Sequence, residues 1–246
     1  VAKESGLGHA LFIAGNDLSG DYTAIGNIGG GPAALTTTGI DKSAYERLGG
    51  KLDGRLEATS WWNPALSHPV LSTLPTSDVH EMYCCGTTLG RPAAAIVAKQ
   101  VNYDGTRGDD GSFTFSTSCQ NNAYPLEWGV LLTAGKRTDS TATNGTGVDL
   151  TTVSTAFGAQ AYLQVFAFTG TDVTVKVQDS ADNVSFADVT GLAFTAVTSA
   201  PGTQRVATAA GATIRRYVRA VTTTSGGFTS VTFAVSFIRN PVAVSF

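Results

Sequence analysis

The sequence predicts a mainly β protein in two parts: a β-sandwich or barrel with one short helix, followed by a second antiparallel β-sandwich. Three observations carry this. Only 14% of the 246 residues are charged, while 28 are glycine and Thr and Ser are abundant, a composition of strands joined by turns. Several segments alternate apolar and polar side chains with a period of two, the signature of a half-buried strand. Helical periodicity is scarce. A chain of this length can bury one large core or two modest ones.

In the first part, Ala10-Leu11-Phe12-Ile13-Ala14 is a short apolar run, and residues 22–28 form a second strand candidate, closed by Gly29-Gly30-Gly31-Pro32. Residues 42–48 read as one charged helical turn, ended by Gly49-Gly50. From Asp53 to Trp62 the pattern alternates. Leu56, Ala58, Ser60 and Trp62 fall on one face of a strand; Arg55, Glu57, Thr59 and Trp61 fall on the other. Residues 69–74 are a second helical candidate, and residues 82–85 a short strand. Residues 94–103 make a longer strand. Residues 112–119 alternate most cleanly, with Phe113, Phe115, Thr117 and Cys119 on one face. Between them, residues 104–111 are dense in turn formers, so the two strands are predicted to form a hairpin. Its loop and residues 1–8 are expected to order only in an assembly.

Residues 136–147 contain no apolar side chain larger than alanine, so they read as a linker or long exposed loop. This divides the chain into a domain over 1–136, a linker over 137–156 and a domain over 157–246. In the second domain, residues 161–168 are apolar on both faces, as in a central strand. Val173, Val175 and Val177 alternate with polar residues, residues 214–221 are mixed, and Val231, Phe233, Val235 and Phe237 alternate again. Turn signals at 169–172, 179–183 and 225–227 separate them, the spacing of an antiparallel sandwich.

Chemistry is sparse by comparison. The formal charge of −3 argues against a surface that grips nucleic-acid phosphates. Cys84, Cys85 and Cys119 contain no Cys-x-x-Cys pair and read as small buried apolar groups. His9, His68 and His80 lack metal-ligand spacing; His80-Glu81 is half of a His-Glu-x-x-His pattern, with Cys84 where the second histidine belongs. Neither Gly6-Leu7-Gly8 nor Gly29-Gly30-Gly31 continues as a phosphate loop, and no Gly-x-Ser-x-Gly elbow occurs. Asp109-Asp110 reads as a solvated loop pair rather than a cation site. No nucleophile, base and oxyanion donor can be placed together, so neither an enzyme nor a resident cofactor or metal is expected. The start, Val1-Ala2-Lys3-Glu4-Ser5, lacks the apolar region of a secretion signal, and no apolar run approaches a bilayer span. The expectation is a soluble protein made in a reducing cytoplasm, without a membrane partner. The densest basic spot is Arg215, Arg216 and Arg219. Arg215 and Arg219 share a strand face with Tyr217, either as a platform for a sugar or polyanion or as arginines paired with nearby carboxylates.

From Tyr45 through Trp62, an aromatic residue, Leu48-Gly49-Gly50, then Leu52-Asp53-Gly54 precede an alternating strand. This order resembles the helix-to-strand segment of phage major tail (tail tube) proteins. Residues 94–103, the loop at 104–111 and Phe113-Thr114-Phe115-Ser116 are similar to the paired strands that follow in that family. Residues 157–166 through 228–233 look like the outer domain of actinobacteriophage tail proteins. The resemblance covers most of the chain, and it rests on the order of motifs that are individually of low specificity. It implies a tail-tube-type β-sandwich or barrel over the first domain. It also implies a homo-oligomer of hexameric rings stacked into a tube, in the virion tail, made in the bacterial host. Implied partners are tape-measure and tail-terminator or tip proteins, with genomic DNA only in transit. An acidic conduit that avoids phosphate binding fits this, and closing sheets across subunits removes exposed edges.

Under that resemblance, Arg55, Glu57, Arg107, Asp109 and Asp110 are candidates for a ring interface or the lumen, and Arg215, Tyr217 and Arg219 for the outer-domain surface. The outer domain is itself similar, at 179–189 and Arg216-Tyr217-Val218-Arg219, to discoidin-like or carbohydrate-binding jelly rolls, an immunoglobulin-like sandwich being the other form. Those jelly rolls present tryptophans to sugars, whereas Trp61, Trp62 and Trp128 all lie in the first part, so a decorative role is expected. A head-decoration or capsid-surface protein and a carbohydrate-binding module are the alternative functions.

Overall fold

A computed structural model describes residues 3–243; Val1 and Ala2, part of the segment expected to order on assembly, lie outside the described residues. Strands dominate. In chain order they are β1 (Ala10–Ile13), β2 (Asn16–Asp17), β3 (Tyr22–Gly29), β4 (Pro32–Thr36), β5 (Arg47–Leu52) and β6 (Arg55–Trp61). A single helical turn, α1 (Ser67–Leu71), precedes β7 (Val79–Cys84), β8 (Pro92–Arg107), β9 (Phe113–Asn121), β10 (Glu127–Leu131), β11 (Arg137–Asp139) and β12 (Val148–Asp149). Then follow β13 (Ala159–Gly170), β14 (Thr174–Ser180), β15 (Ala187–Ala193), β16 (Gly202–Ala207), β17 (Tyr217–Thr223) and β18 (Phe228–Arg239). The mainly β expectation holds.

The chain divides into two compact units: residues 1–20, 80–95 and 127–246, and residues 21–79 with 96–126. This departs from the expected boundary at 136–156. Strand pairing is non-local, and a composition break marks polarity rather than the end of a sheet. β1, β7 and β10 lie in the expected first domain but join the sheet built on β13 and β18.

In the larger unit, β13 is central, antiparallel to β16 on one side and to β18 on the other. The register sets Ala161 opposite Phe237, Leu163 opposite Val235 and Val165 opposite Phe233. These side chains share one face, because successive residues of a strand alternate sides. They pack against Val175 and Val177 of β14, Leu192 of β15, and Val218 and Ala220 of β17. The latter strands form a second antiparallel sheet in the order β12-β17-β14-β15. The unit is a sandwich, and each fully buried Val, Leu or Phe contributes about 1.5–3 kcal/mol to it. The other face of β13, carrying Gln160, Tyr162 and Gln164, is buried as well. Residues 161–165 are thus apolar toward one layer and amphipathic toward the other.

Residues 137–156 are a correction to the expected linker. β11 pairs with β18, and β12 pairs with β17. Arg137 and the buried Asp139 form a 2.6 Å ion pair, the Arg137 guanidinium donates to the Ala220 carbonyl at 2.9 Å, and the Thr222 hydroxyl donates to Asp139 at 2.8 Å. Backbone pairing and a satisfied buried ion pair order a segment that has little apolar surface, which composition alone does not register.

The smaller unit is a four-stranded antiparallel sheet in the order β3-β6-β9-β8, β8 entering it from residue 96 onward. Leu56, Ala58 and Ser60 of β6 are buried, and Arg55 and Trp61 on the opposite face are exposed, as the alternation predicts. Ile96, Ala98 and Cys119 pack together, and Leu71 of α1 is fully buried. The 69–74 helix expectation corresponds to α1, which begins two residues earlier and carries Pro69 in its first turn, where a missing N–H costs no hydrogen bond. The expected helix over 42–48 is absent. A single charged turn with no tertiary cover cannot offset the cost of nucleation, and Arg47–Leu52 is strand instead. The predicted 94–119 hairpin is present. Its strand runs further than expected, through Arg107, and a tight turn at 108–112 replaces the longer loop.

Candidate assembly surface

β4 and β5 form a two-stranded sheet of their own, within the smaller unit. The hairpin departs at Gly30, whose φ of 144° and whose approach to the Asp53 carbonyl leave no room for a Cβ. Asp53 N–H donates to the Gly31 carbonyl at 3.2 Å and ties the base. At the tip, Thr37 N–H donates to the Glu46 carbonyl at 2.9 Å, and Glu46 N–H donates to the Thr38 hydroxyl at 2.9 Å. Leu35 lies directly opposite Leu48. Gly49 and Gly50, read from sequence as the end of a helical turn, are strand residues; Gly50 lets the backbone and side chain of Ala33 come close.

Every residue of β4 is exposed, and in β5 only Gly50 is partly covered. Yet the hairpin carries large apolar side chains: Leu35 is 51% exposed, Ile40 fully so, Tyr45 73%, Leu48 61% and Leu52 48%. An isolated two-stranded hairpin is marginal in water. An apolar patch of this kind marks an interaction surface far more often than scattered single side chains do. The sequence did carry these residues, but residues 42–48 read as a helix, which set Leu48 and Tyr45 against the wrong neighbours.

The charged candidates are not gathered into one site. Arg55 pairs across the sheet with Gln120 at one end of β9, whereas Arg107 pairs with Phe113 at the other. Seven residues of strand separate those ends, roughly 23 Å at 3.3 Å per residue. Glu57 sits beside Arg55's end, opposite Ser118. Asp109 and Asp110 are exposed in the turn, where hydrogen bonds from Ser112 hold the Asp110 carboxyl below its ordinary value.

The arginine spot is internally engaged. Arg215 donates to the buried Asp179 through its backbone N–H and its Nε, both at 2.8 Å, and Arg216 bridges Asp149 at 2.7 Å. Arg219 donates to the Gln178 amide oxygen at 2.7 and 3.0 Å and lies 4.1 Å over the Phe186 ring. Tyr217 is half-buried, under the Arg216 guanidinium. Of the two readings open in the sequence, the contacts are those of arginines held by neighbouring polar groups.

One buried polar cluster escaped the sequence. Tyr162 on β13 donates a short hydrogen bond to Glu127 on β10, and Arg205 on β16 reaches both, at 3.0 Å to the Tyr162 hydroxyl and 3.2 Å to the Glu127 carboxylate. Burial pushes the Glu127 carboxyl up, with Arg205 and Tyr162 pulling it back down; burial and the Glu127 charge raise the Tyr162 hydroxyl. Arg205 and Glu127 are each less than a tenth exposed. The three positions lie 35 to 78 residues apart in sequence, so no local spacing could reveal them. The set holds charge without a nucleophile and reads as a lock on the sheet. Among the described residues no group of three or more His, Cys, Asp or Glu side chains could hold a metal. No described helix is long and apolar enough to cross a membrane.

No protein-family model matches the chain, and no curated protein matches it. Among solved structures it is similar to the SPP1 Dit (gp 19.1) protein, described as a paradigm of hub adsorption apparatus in Gram-positive infecting phages. The identity is 11%, the TM-score 0.34, and the match covers 94% of this chain and 99% of that one. It is also similar to a chain of the phage p2 baseplate in its activated conformation with Sr, at 9% identity and TM-score 0.35, covering 96% and 99% of the two chains. Both are remote likenesses.

Proposed function

We propose that this chain is a structural subunit of a phage tail that associates with copies of itself, in the form of stacked rings making a tube. The observation that supports this reading is the β4–β5 hairpin. It presents Leu35, Tyr45 and Leu48 largely uncovered by the described residues, and a second copy adding strands or an apolar face there would bury them and the hairpin's edges together. The motif order shared with tail tube proteins supports the same reading, as does an acidic chain that leaves DNA free to pass. The outer sandwich decorates the tail surface in this reading.

The test combines assembly and location. Purified protein at rising concentration should form rings or tubes by electron microscopy and sediment as oligomers. Leu35→Asp with Leu48→Asp should leave a folded monomer. Antibody to residues 157–246 should label the tail shaft along its length. Labelling confined to the tail tip would exclude a tube while keeping a tail role, and labelling of the head would favour a capsid-surface protein. A wild-type chain that stays monomeric at all concentrations would overturn self-assembly itself.

A further inference from the structure

A groove of about 320 Å³ opens in the larger unit, where β10 meets β18. That is the lower end of small-ligand sites, which run from roughly 300 to 1,000 Å³. It exists because two strands approach closely. A Cβ at Gly129 would fall 2.2 Å from the Phe237 carbonyl oxygen, so only glycine lets β10 lie against β18 here. The register that sets Val130 opposite Phe237 brings Trp128 and Arg239 to the same end of the pair.

The lining has a particular chemistry. Trp128 is 49% exposed and offers an indole at the edge of walls formed by Leu150 and Phe237. Arg239 is the one charged residue among those lining the groove, with no carboxylate beside it there. Its guanidinium donates to the Thr152 hydroxyl and to the Arg215 carbonyl at 3.3 Å through its two terminal nitrogens, and its Nε–H makes no hydrogen bond among the described residues. Partial burial draws its pKa down. Thr155 also lines the groove, and its hydroxyl is buried with no hydrogen-bond partner.

We infer that this groove binds a small saccharide bearing a carboxylate, such as a uronic acid. The apolar C–H face of a pyranose packs on the Trp128 ring. The carboxylate accepts from Arg239, the only charged side chain among the described residues lining the groove, in a charge-assisted hydrogen bond. A nucleotide could also stack on an indole, but nothing else in the groove is basic, and one guanidinium is a poor match for a multiply charged phosphate. The strand pairing removes the sequence-level objection that the tryptophans lie away from the second sandwich, because Trp128 belongs to that sandwich's own unit. The inference does not depend on whether the chain assembles.

The test uses the full chain with Trp61→Phe and Trp62→Phe, which leaves Trp128 as the only tryptophan. Methyl glucuronide should change its fluorescence saturably, and methyl glucoside should bind about tenfold more weakly, the loss of one hydrogen bond to a charge. Arg239→Gln should bring the two sugars to equal, weak affinity. Trp128→Ala, read by saturation-transfer NMR, should abolish both, and Trp128→Phe should restore part of the binding in the same folded protein. No saturable response to millimolar glucuronide, equal binding of the two sugars by the parent, or tighter binding of adenosine monophosphate than of glucuronide would overturn the proposal.

Discussion

The β13–β18 pair and the β4–β5 hairpin obey the same local rule and end in opposite surroundings. Both are antiparallel pairs in which apolar residues face one another across the ladder, Leu163 opposite Val235 in the first and Leu35 opposite Leu48 in the second. Leu163 and Val235 are fully buried because a second sheet covers one face and polar packing closes the other. Leu35 and Leu48 remain more than half exposed because no layer among the described residues covers either face of the hairpin. Strand formation is thus a local matter, and the energy of a strand is set by its cover. The difference separates a pair whose cover comes from within the chain from a pair whose apolar side chains stay exposed.

The sharpest way to break that comparison is a matched truncation. Leu163→Ala should cost about 2–5 kcal/mol, the range for deleting a buried leucine and leaving a cavity. Leu48→Ala should stay within about 0.5 kcal/mol in the monomer, as surface substitutions do. Urea denaturation of both variants at low protein concentration measures the contrast. Equal losses would mean that the hairpin is already covered.

A comparable but more specific effect concerns the buried cluster. Arg205→Leu strands the Glu127 carboxylate without its cation, and removing one partner of a buried pair costs about 3–5 kcal/mol. Its pH dependence has a definite sign. The Glu127 carboxyl already sits above its ordinary value, with burial outweighing Arg205, and losing Arg205 raises it further. A carboxyl whose folded pKa is raised binds its proton more tightly in the native state. Stability is therefore greatest below the unfolded value and declines as pH rises through the folded one. The variant should accordingly recover as pH falls toward the carboxylate range, and Glu127→Leu with Arg205→Leu should recover at neutral pH. A variant equally destabilised at all pH values would assign the loss to packing instead.

How much of this was legible in the sequence follows from which forces are local. The alternation at 55–61 and 231–237 placed Leu56, Ala58, Phe233 and Val235 in the interior, because a period of two is fixed by backbone geometry. The hairpin of β8 and β9 was legible from its turn formers. Residues 137–156 were not, since their order comes from partners far along the chain, such as Ala220 for Arg137 and Thr222 for Asp139. Long sequence separation also hid the Glu127, Tyr162 and Arg205 set and the groove beside Trp128. Residues 42–48 misled for a different reason. Their helix-forming composition is a weak preference, and pairing of Leu48 with Leu35 overrode it.

The smallest effect separates a turn that the fold secures from one that it leaves to solvent. Between β14 and β15, the Asp182 carboxylate accepts from the N–H groups of Ser185 at 2.8 Å and Val184 at 2.9 Å and from the Ser180 hydroxyl at 2.7 Å. The Ser185 backbone bond, the Ser180 hydroxyl and the Val184 bond together hold this carboxyl well below the usual carboxylate range. A depressed carboxyl contributes order that is present above its unfolded value, about 3.9, and lost as pH falls through the folded value. At the tip of the β4–β5 hairpin the charged side chains make exposed contacts, Lys42 with Asp41 at 3.5 Å and with Glu46 at 3.9 Å, a kind of pair worth little in water. In an NMR titration, the amide protons of Val184 and Ser185 should therefore hold their shifts through the ordinary carboxylate range and move only at lower pH. Asp182→Asn removes the titrating group and should flatten the response of both amides without altering global stability. A Val184 shift that still titrates in that variant would show that another carboxylate secures the turn.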